Sequence, residues 1–243
     1  MSENEYKTSR KRRIEFGQHH LVDARIVLLL VQCLAPRSSE IILEIGSGKG
    51  NITRLISQCS RYIYSYEVDP DLYESARINC LDRPNVQLYN LDALKIKPPR
   101  FDAFISNIPY SRSREIITWL CCQNFQRGVI MVQDEFSSKM LSQPGEKNYT
   151  AISVISQYCL ALEIVAKVPP EAFSPPPRVT SALLRLIRKP NTIDLTEIKK
   201  IHLLFSRGKS YSLHAWHRRN NNLETRKIRN LLPEEVVDVV RKI

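Results

Sequence analysis

The chain has 243 residues, 43% of them hydrophobic, and carries 36 Lys and Arg against 25 Asp and Glu. That is enough apolar material for one ordinary core plus a small appendage. The surplus of +11 points to a polyanionic partner, nucleic acid before an anionic membrane surface. The six cysteines include no C-x-x-C pair and read as reduced core residues, against a disulfide frame or a zinc site. The longest apolar run, "IVLLLVQCLA", is too short to span a bilayer and contains Gln32. The N-terminus is polar and basic, without the apolar stretch of a secretory signal, so a cytoplasmic protein with no membrane partner is expected.

In chain order, a basic arm precedes a helix over 22–34 with apolar spacing. Strands and helices then alternate. "EIILEIG" (40–46) reads as a buried strand and "NITRLISQC" (51–59) as a helix. "YIYSYEV" (62–68) is a strand, "DLYESARINCL" (71–81) a helix and "NVQLYN" (85–90) a strand. "FDAFIS" (101–106) is a strand, followed by a helix to about 123 and the strand 128–133. Helices are expected over 134–142 and 151–161, and strands over 163–168 and 181–189. This alternation predicts an α/β fold whose sheet is mostly parallel and covered by helices on both faces. Beyond Pro190 only helical periodicity remains, with 11 Lys and Arg against 6 Asp and Glu, a local net of +5. Two domains are therefore expected: an α/β domain over 1–189, with the basic arm, and a small basic helical domain over 190–243.

Several residues carry chemistry. Gly46, Gly48 and Gly50 follow a buried strand and precede a helix, where a doubly wound sheet binds its ligand. The spacing G-x-G-x-G fits a dinucleotide fingerprint poorly, and the loop lacks the lysine and hydroxyl of a P-loop. Glu67 ends the second strand, placed to accept from ribose hydroxyls. Asp92 follows the third strand and can accept from an adenine's 6-amino group. The alternative for either acid is a surface carboxylate capping a loop.

At the fourth strand's end stands "SNIPYSR". Asn107 offers an amide acceptor, Ile108 before a proline is biased to extended geometry, Pro109 sets the turn and Tyr110 supplies a flat ring. Two acceptors and a ring suit an adenine with a free amino group. Phe173, among Pro169, Pro170, Pro175, Pro176 and Pro177, is expected to stand on a rigid loop as the second wall around that base. The alternative is a phenylalanine plugging the core beneath the loop. His214 and His217 lie three apart with no acid or cysteine beside them, so no metal site is expected.

Glycine loop, acid after strand two and acid after strand three together resemble the class I S-adenosylmethionine-dependent methyltransferases, with their Rossmann-like sheet. "FGQHHL", "LEIGSGKGNIT", "YEVD", "NLDAL", "SNIPY" and "VPPEAFSPPPRVTSALLRL", in that order, resemble the ribosomal RNA adenine dimethyltransferases from about Phe16 to Arg188. The resemblance implies S-adenosyl-L-methionine as cofactor, contacted by Gln18, His19, Leu21, Gly46, Gly48, Glu67, Val68, Asp92, Ala93 and Asn107. It implies Asn107, Pro109, Tyr110 and Phe173 around the target adenine. The implied activity is dimethylation of two adjacent adenines near the 3′ end of small-subunit ribosomal RNA, by a monomer acting on a pre-ribosomal particle. Alternatives are a macrolide-resistance type enzyme of large-subunit RNA and a non-catalytic ribosome-assembly factor. The chain departs from the family at Ser47 and Lys49 in the glycine loop, at His20, and at "SRSRE", where N-I-S-S-P or similar is usual.

Overall fold

The structure, a computed structural model, describes residues 19–206 and 228–242. Its strands are β1 (His20–Leu21), β2 (Ile41–Ile45), β3 (Tyr62–Tyr66), β4 (Val86–Tyr89), β5 (Ala103–Asn107), β6 (Arg127–Gln133), β7 (Leu160–Val168), β8 (Phe173–Ser174) and β9 (Ser181–Arg188). Its longer helices are α1 (Ala24–Leu34), α2 (Asn51–Ile56), α3 (Pro70–Asn79), α4 (Ser113–Cys121), α5 (Asp134–Leu141), α6 (Ala151–Cys159), α7 (Leu195–Ser206) and α8 (Pro233–Lys242). The chain divides into two compact units. One takes the chain up to Ile116 with Asn124–Asp134 and Glu163–Arg188; the other takes Ile117–Gln123, Glu135–Leu162 and everything from Lys189.

Seven strands form one sheet in the order β4-β3-β2-β5-β6-β9-β7. The pairs β3–β4, β2–β3, β2–β5 and β5–β6 are parallel, and β9 runs antiparallel to β6. Ile42, Leu43 and Ile45 in β2, and Ala103, Phe104 and Ile105 in β5, are buried without alternation. A sheet covered on both faces requires that pattern. Parallel strands bring their carboxyl ends to one edge, and the sheet's ligand edge is that edge.

The sequence reading needs four local corrections. Helix α2 stops at Ile56, short of the expected Cys59, because its last carbonyls turn to i,i−3 bonds, Leu55 O taking Gln58 N at 3.3 Å and Ile56 O taking Cys59 N at 3.1 Å. Just beyond, a long-range donor holds the chain in that turn: Asn85 Nδ2 reaches Ser57 O and Ser60 O at 2.9 and 3.0 Å. Helix α6 ends at Cys159, and Leu160 is already extended as the first residue of β7, while Lys189 N–H bonds Cys159 O. Strand β3 closes at Tyr66, so Glu67 follows the strand. The two-residue strands β1 and β8, paired antiparallel with Leu21 opposite Phe173, were not expected at all.

Three acids in the first unit are buried, and two of them, Glu40 and Glu44, show opposite consequences of burial. Glu40 takes Arg127 Nη1 and Nη2 at 2.5 and 2.7 Å, while Arg127 Nε donates to Leu34 O at 3.0 Å. The pair fastens the end of α1 to the sheet, and the Arg127 hydrogen bonds hold the Glu40 carboxyl below its ordinary value. Glu44, within β2, accepts from Thr53 Oγ1 and Ser65 Oγ, each at 2.6 Å, and its Oε1 has no hydrogen bond. Burial pushes its carboxyl up from 4.5 to about 7, against the pull of those two hydroxyls. A raised carboxyl favours the fold while protonated in it. Glu44 therefore stabilises fully below pH 4.5, and that stability is lost as pH rises through about 7. Denaturant titrations of wild type and Glu44→Gln should diverge by about 3 kcal/mol between pH 4.5 and 8, wild type losing more. Parallel pH profiles would contradict the account.

In the second unit α8 buries Val236, Val237, Val239 and Val240. Tyr149, fully buried, donates its hydroxyl to Leu231 O at 2.8 Å and meets the Phe205 ring edge-on at 6.0 Å. Arg241 Nε bonds Glu197 at 2.6 Å, and its guanidinium lies 5.8 Å from the centre of the Tyr158 ring. The helices α7 and α8 thus share a core with α6. No helix among the described residues is long and apolar enough to cross a membrane.

Candidate active site

A cavity of about 700 Å³ opens at the carboxyl ends of β2, β3, β4 and β5. From β1 and the glycine loop it takes His19, Leu21, Gly46 and Gly48; from the ends of β3 and β4, Glu67, Val68, Asp92 and Ala93. From the end of β5 come Asn107, Pro109 and Tyr110. Residues 88 positions apart in sequence therefore meet in one space, as Asn107 Nδ2 shows by donating to His19 O at 3.1 Å. Gln18, the remaining expected contact, lies outside the described residues, as do the rest of the basic arm before it and residues 207–227 with His214 and His217; Arg229 is described and donates through Nη2 to Glu146 O and Lys147 O at 3.0 and 2.7 Å.

Glu67 is buried and organises the glycine loop. Its Oε2 accepts from Gly48 N at 2.9 Å and its Oε1 from Asp69 N at 3.0 Å. Burial raises its carboxyl against these backbone donors. Gly48 holds φ +56, a conformation that L side chains rarely adopt, and it is this turn that aims its N–H at Glu67. Ser47, one of the departures from the family pattern, is buried in the cavity wall, and its Oγ has no hydrogen-bond partner among the described residues. A hydroxyl left in that state suits a polar ligand. From the sequence, Ser47 stands out only as a departure from the family pattern in the glycine loop.

Asp92 caps the turn Ala93–Lys95 by accepting from Leu94 N at 3.1 Å. It also receives Arg112, which the sequence did not connect to it: Nη1 and Nη2 lie 3.2 and 3.1 Å from its two oxygens. Burial works to raise this carboxyl, but the Arg112 hydrogen bonds, the Leu94 N–H and the neighbouring charges outweigh it and hold it below the ordinary range. Asp92 is thus an anionic acceptor at neutral pH.

The turn after β5 presents acceptors and a ring. With Nδ2 of Asn107 committed to His19 O, its Oδ1 is left to accept from a ligand. Ile108 donates its N–H to Met131 O at 3.1 Å, which fixes the following carbonyl just before Pro109. Tyr110 begins a short 3-10 turn, and its hydroxyl is hydrogen-bonded to Ser181 at the start of β9. Its ring lies 5.2 Å from that of His19, tilted by 34°. His19 is itself tied back through Nδ1 to Pro175 O at 2.8 Å.

Phe173 is the exception. Instead of standing at the rim it is 3% exposed, in the core cluster with Leu21 and Ala172, and it does not line the cavity. Pairing with β1 sets this: in an extended segment alternate side chains face opposite ways, so Phe173 turns inward and exposed Ser174 outward. Ser174, Pro175 and Pro176 occupy the rim instead.

A family model described as ribosomal RNA adenine dimethylase matches residues 9–239. The probable ribosomal RNA small subunit methyltransferase A of Methanosarcina barkeri is 37% identical over 175 residues, which are 72% of this chain and 61% of that protein. Its namesake from Pyrobaculum islandicum is 34% identical over 236 residues, 96% of this chain and 95% of that one. The crystal structure of a dimethyladenosine transferase from Plasmodium falciparum matches with a TM-score of 0.79 at 25% identity, covering 92% of this chain and 97% of its own. The sheet is therefore the Rossmann-like one of class I methyltransferases, with the glycine loop and the Asn-Ile-Pro-Tyr turn at its ligand edge. On the family match across nearly its whole length, the chain belongs to the ribosomal RNA adenine dimethylases.

Proposed function

We propose that this chain transfers methyl groups from S-adenosyl-L-methionine to the 6-amino group of two adjacent adenines near the 3′ end of small-subunit ribosomal RNA, two methyls to each. The observation that carries the reading is one cavity walled by Glu67 and Asp92 on one side and by Asn107 to Tyr110 on the other. The small-subunit substrate is preferred to large-subunit RNA because the relatives that match carry small-subunit names.

The cavity fits the cofactor on its own chemistry. Glu67 suits ribose hydroxyls, anionic Asp92 suits the adenine's exocyclic amine, and the unpartnered Ser47 hydroxyl suits the polar amino-acid end. When bound, S-adenosylmethionine supplies a methyl group on a cationic sulfur that leaves as a neutral thioether. The protein's part is positioning and electrostatics. An aromatic amine is a poor nucleophile because its lone pair is delocalised into the ring. Asn107 Oδ1 and the Ile108 carbonyl accept its two N–H bonds and favour a pyramidal nitrogen. The Tyr110 ring stacks on the base, a contact worth about 1–3 kcal/mol. No general base is required, since the protonated product amine is strongly acidic and loses its proton to water. In this reading Phe173 backs Leu21 from the core and does not touch the base.

The substrate is a pre-ribosomal particle and the enzyme a cytoplasmic monomer, with the basic arm and the basic segment after Ser206 tracking RNA phosphates. The test is tritiated cofactor offered separately to undermethylated small subunits, large subunits, duplex DNA and protein. Label should enter small-subunit RNA. Label in large-subunit RNA, DNA or protein instead would overturn the substrate. RNA binding with no label anywhere would make the chain a non-catalytic assembly factor.

A further inference from the structure

Arg112 closes the 3-10 turn that Tyr110 opens, and its backbone N–H bonds Pro109 O at 2.9 Å. It thus belongs to the turn assigned to the target base. Its guanidinium, however, reaches to the other side of the cavity. Both Nη atoms grip Asp92, and Nε donates to Glu115 Oε2 at 2.9 Å, so all three nitrogens are engaged. The side chains of Arg112 and Asp92 are only 28% and 18% exposed, which places the pair where solvent screening is weaker than at an open surface.

The acceptor count at Asp92 is informative. Each carboxylate oxygen offers about two acceptor positions. Oδ1 takes Leu94 N and Arg112 Nη1 and is filled; Oδ2 takes, among the described residues, only Arg112 Nη2. One position on one oxygen remains for a donor in the cavity. Only a planar fork held from behind by Glu115 achieves this; an ammonium would meet the carboxylate as a point charge and leave it free to turn.

We propose that Arg112 is a positioning residue that couples the cofactor's adenine pocket to the target-base turn. Its grip leaves Asp92 a single open acceptor for the cofactor's exocyclic amine, and filling that acceptor stiffens the turn that carries Tyr110. The proposal rests on the cofactor reading of Asp92 given above. It falls on the stretch "SRSRE", where this chain departs from the family pattern, so the coupling is a property of this chain's own sequence. By linkage the effect is reciprocal: RNA must tighten the cofactor by the factor with which the cofactor tightens RNA.

Calorimetric titration of S-adenosylhomocysteine, with and without a single-stranded RNA oligonucleotide bearing two adjacent adenines, tests it. In the wild type RNA should tighten the cofactor product by about 5-fold or more. In both Arg112→Met and Arg112→Lys that factor should fall to about 1, although lysine keeps the charge a phosphate would feel. Glu115→Gln, which leaves Asp92 and Arg112 in place but loosens the support, should give an intermediate factor and guards against misfolding of the Arg112 variants. A wild-type factor retained in Arg112→Lys, or a factor of 1 in the wild type with both ligands bound, overturns the coupling. Failure of the wild type to bind S-adenosylhomocysteine, or unchanged affinity in Asp92→Asn, overturns the cofactor reading itself, and the coupling with it.

Discussion

Asn107→Ala is expected to lower the rate of methyl transfer by about 10²–10³-fold, the usual cost of removing one preorganised group from a reaction centre. RNA affinity should stay within about twofold, because phosphate contacts made elsewhere dominate binding. The structure adds a second variant. Asn107 has two duties: Oδ1 faces the ligand space, and Nδ2 holds His19 O at 3.1 Å. Asn107→Asp keeps an acceptor for the base and replaces the donor to His19 O with a second, anionic oxygen. The expected order of single-turnover rates is therefore wild type, then aspartate, then alanine. Equal losses in the two variants would mean that the bond to His19 matters and the acceptor does not. Undiminished transfer in Asn107→Ala would remove the proposed mechanism.

Phe173→Ala should cost about 3–5 kcal/mol of stability, the range for emptying a buried aromatic site. The measurement is chemical denaturation, and the ring's place in the core cluster with Leu21 and Ala172 is the reason. A ring exposed on the proline loop would behave differently: the variant would keep its stability and lose activity alone. That outcome would restore the wall around the target base expected from the sequence and contradict the core position. A Phe173→Leu variant separates the two further, since it refills most of the core volume but cannot stack on a base.

The contrast between Asn107 and Phe173 shows what the sequence could carry. Glu67 and Asp92 follow, and Asn107 ends, parallel strands of the sheet, and such strands all present their carboxyl ends at one edge. Topology alone thus gathers them, and the order of elements was readable from hydrophobic runs. The side chain of Phe173 turns inward through pairing between β8 and β1, each of two residues. So short a pair has no periodicity to read. The turn after the early stop of α2 is likewise held from a distance, by an amide from Asn85 that lies 25 residues beyond Ser60. Arg112 stands in the stretch that fits the family least. Its grip on Asp92, 20 residues away, depends on the path of the chain after β5, which residue types do not reveal. The unpartnered hydroxyl of Ser47 likewise becomes meaningful only once its burial in the cavity wall is known.

These residues converge on one chemical claim, that two methyl groups reach the 6-amino nitrogen of an adenine held between Asn107 and Tyr110. The most direct measurement cuts small-subunit RNA into oligonucleotides after incubation with enzyme and S-adenosylmethionine, sequences the 3′-terminal fragment by tandem mass spectrometry, and identifies the modified nucleoside by further digestion of that fragment. The account predicts N6,N6-dimethyladenosine at two adjacent positions near the 3′ end, absent when Asn107→Ala replaces the wild type. Methylation confined to another base or another atom of adenine, or equal dimethyladenosine from the Asn107→Ala variant, would contradict it.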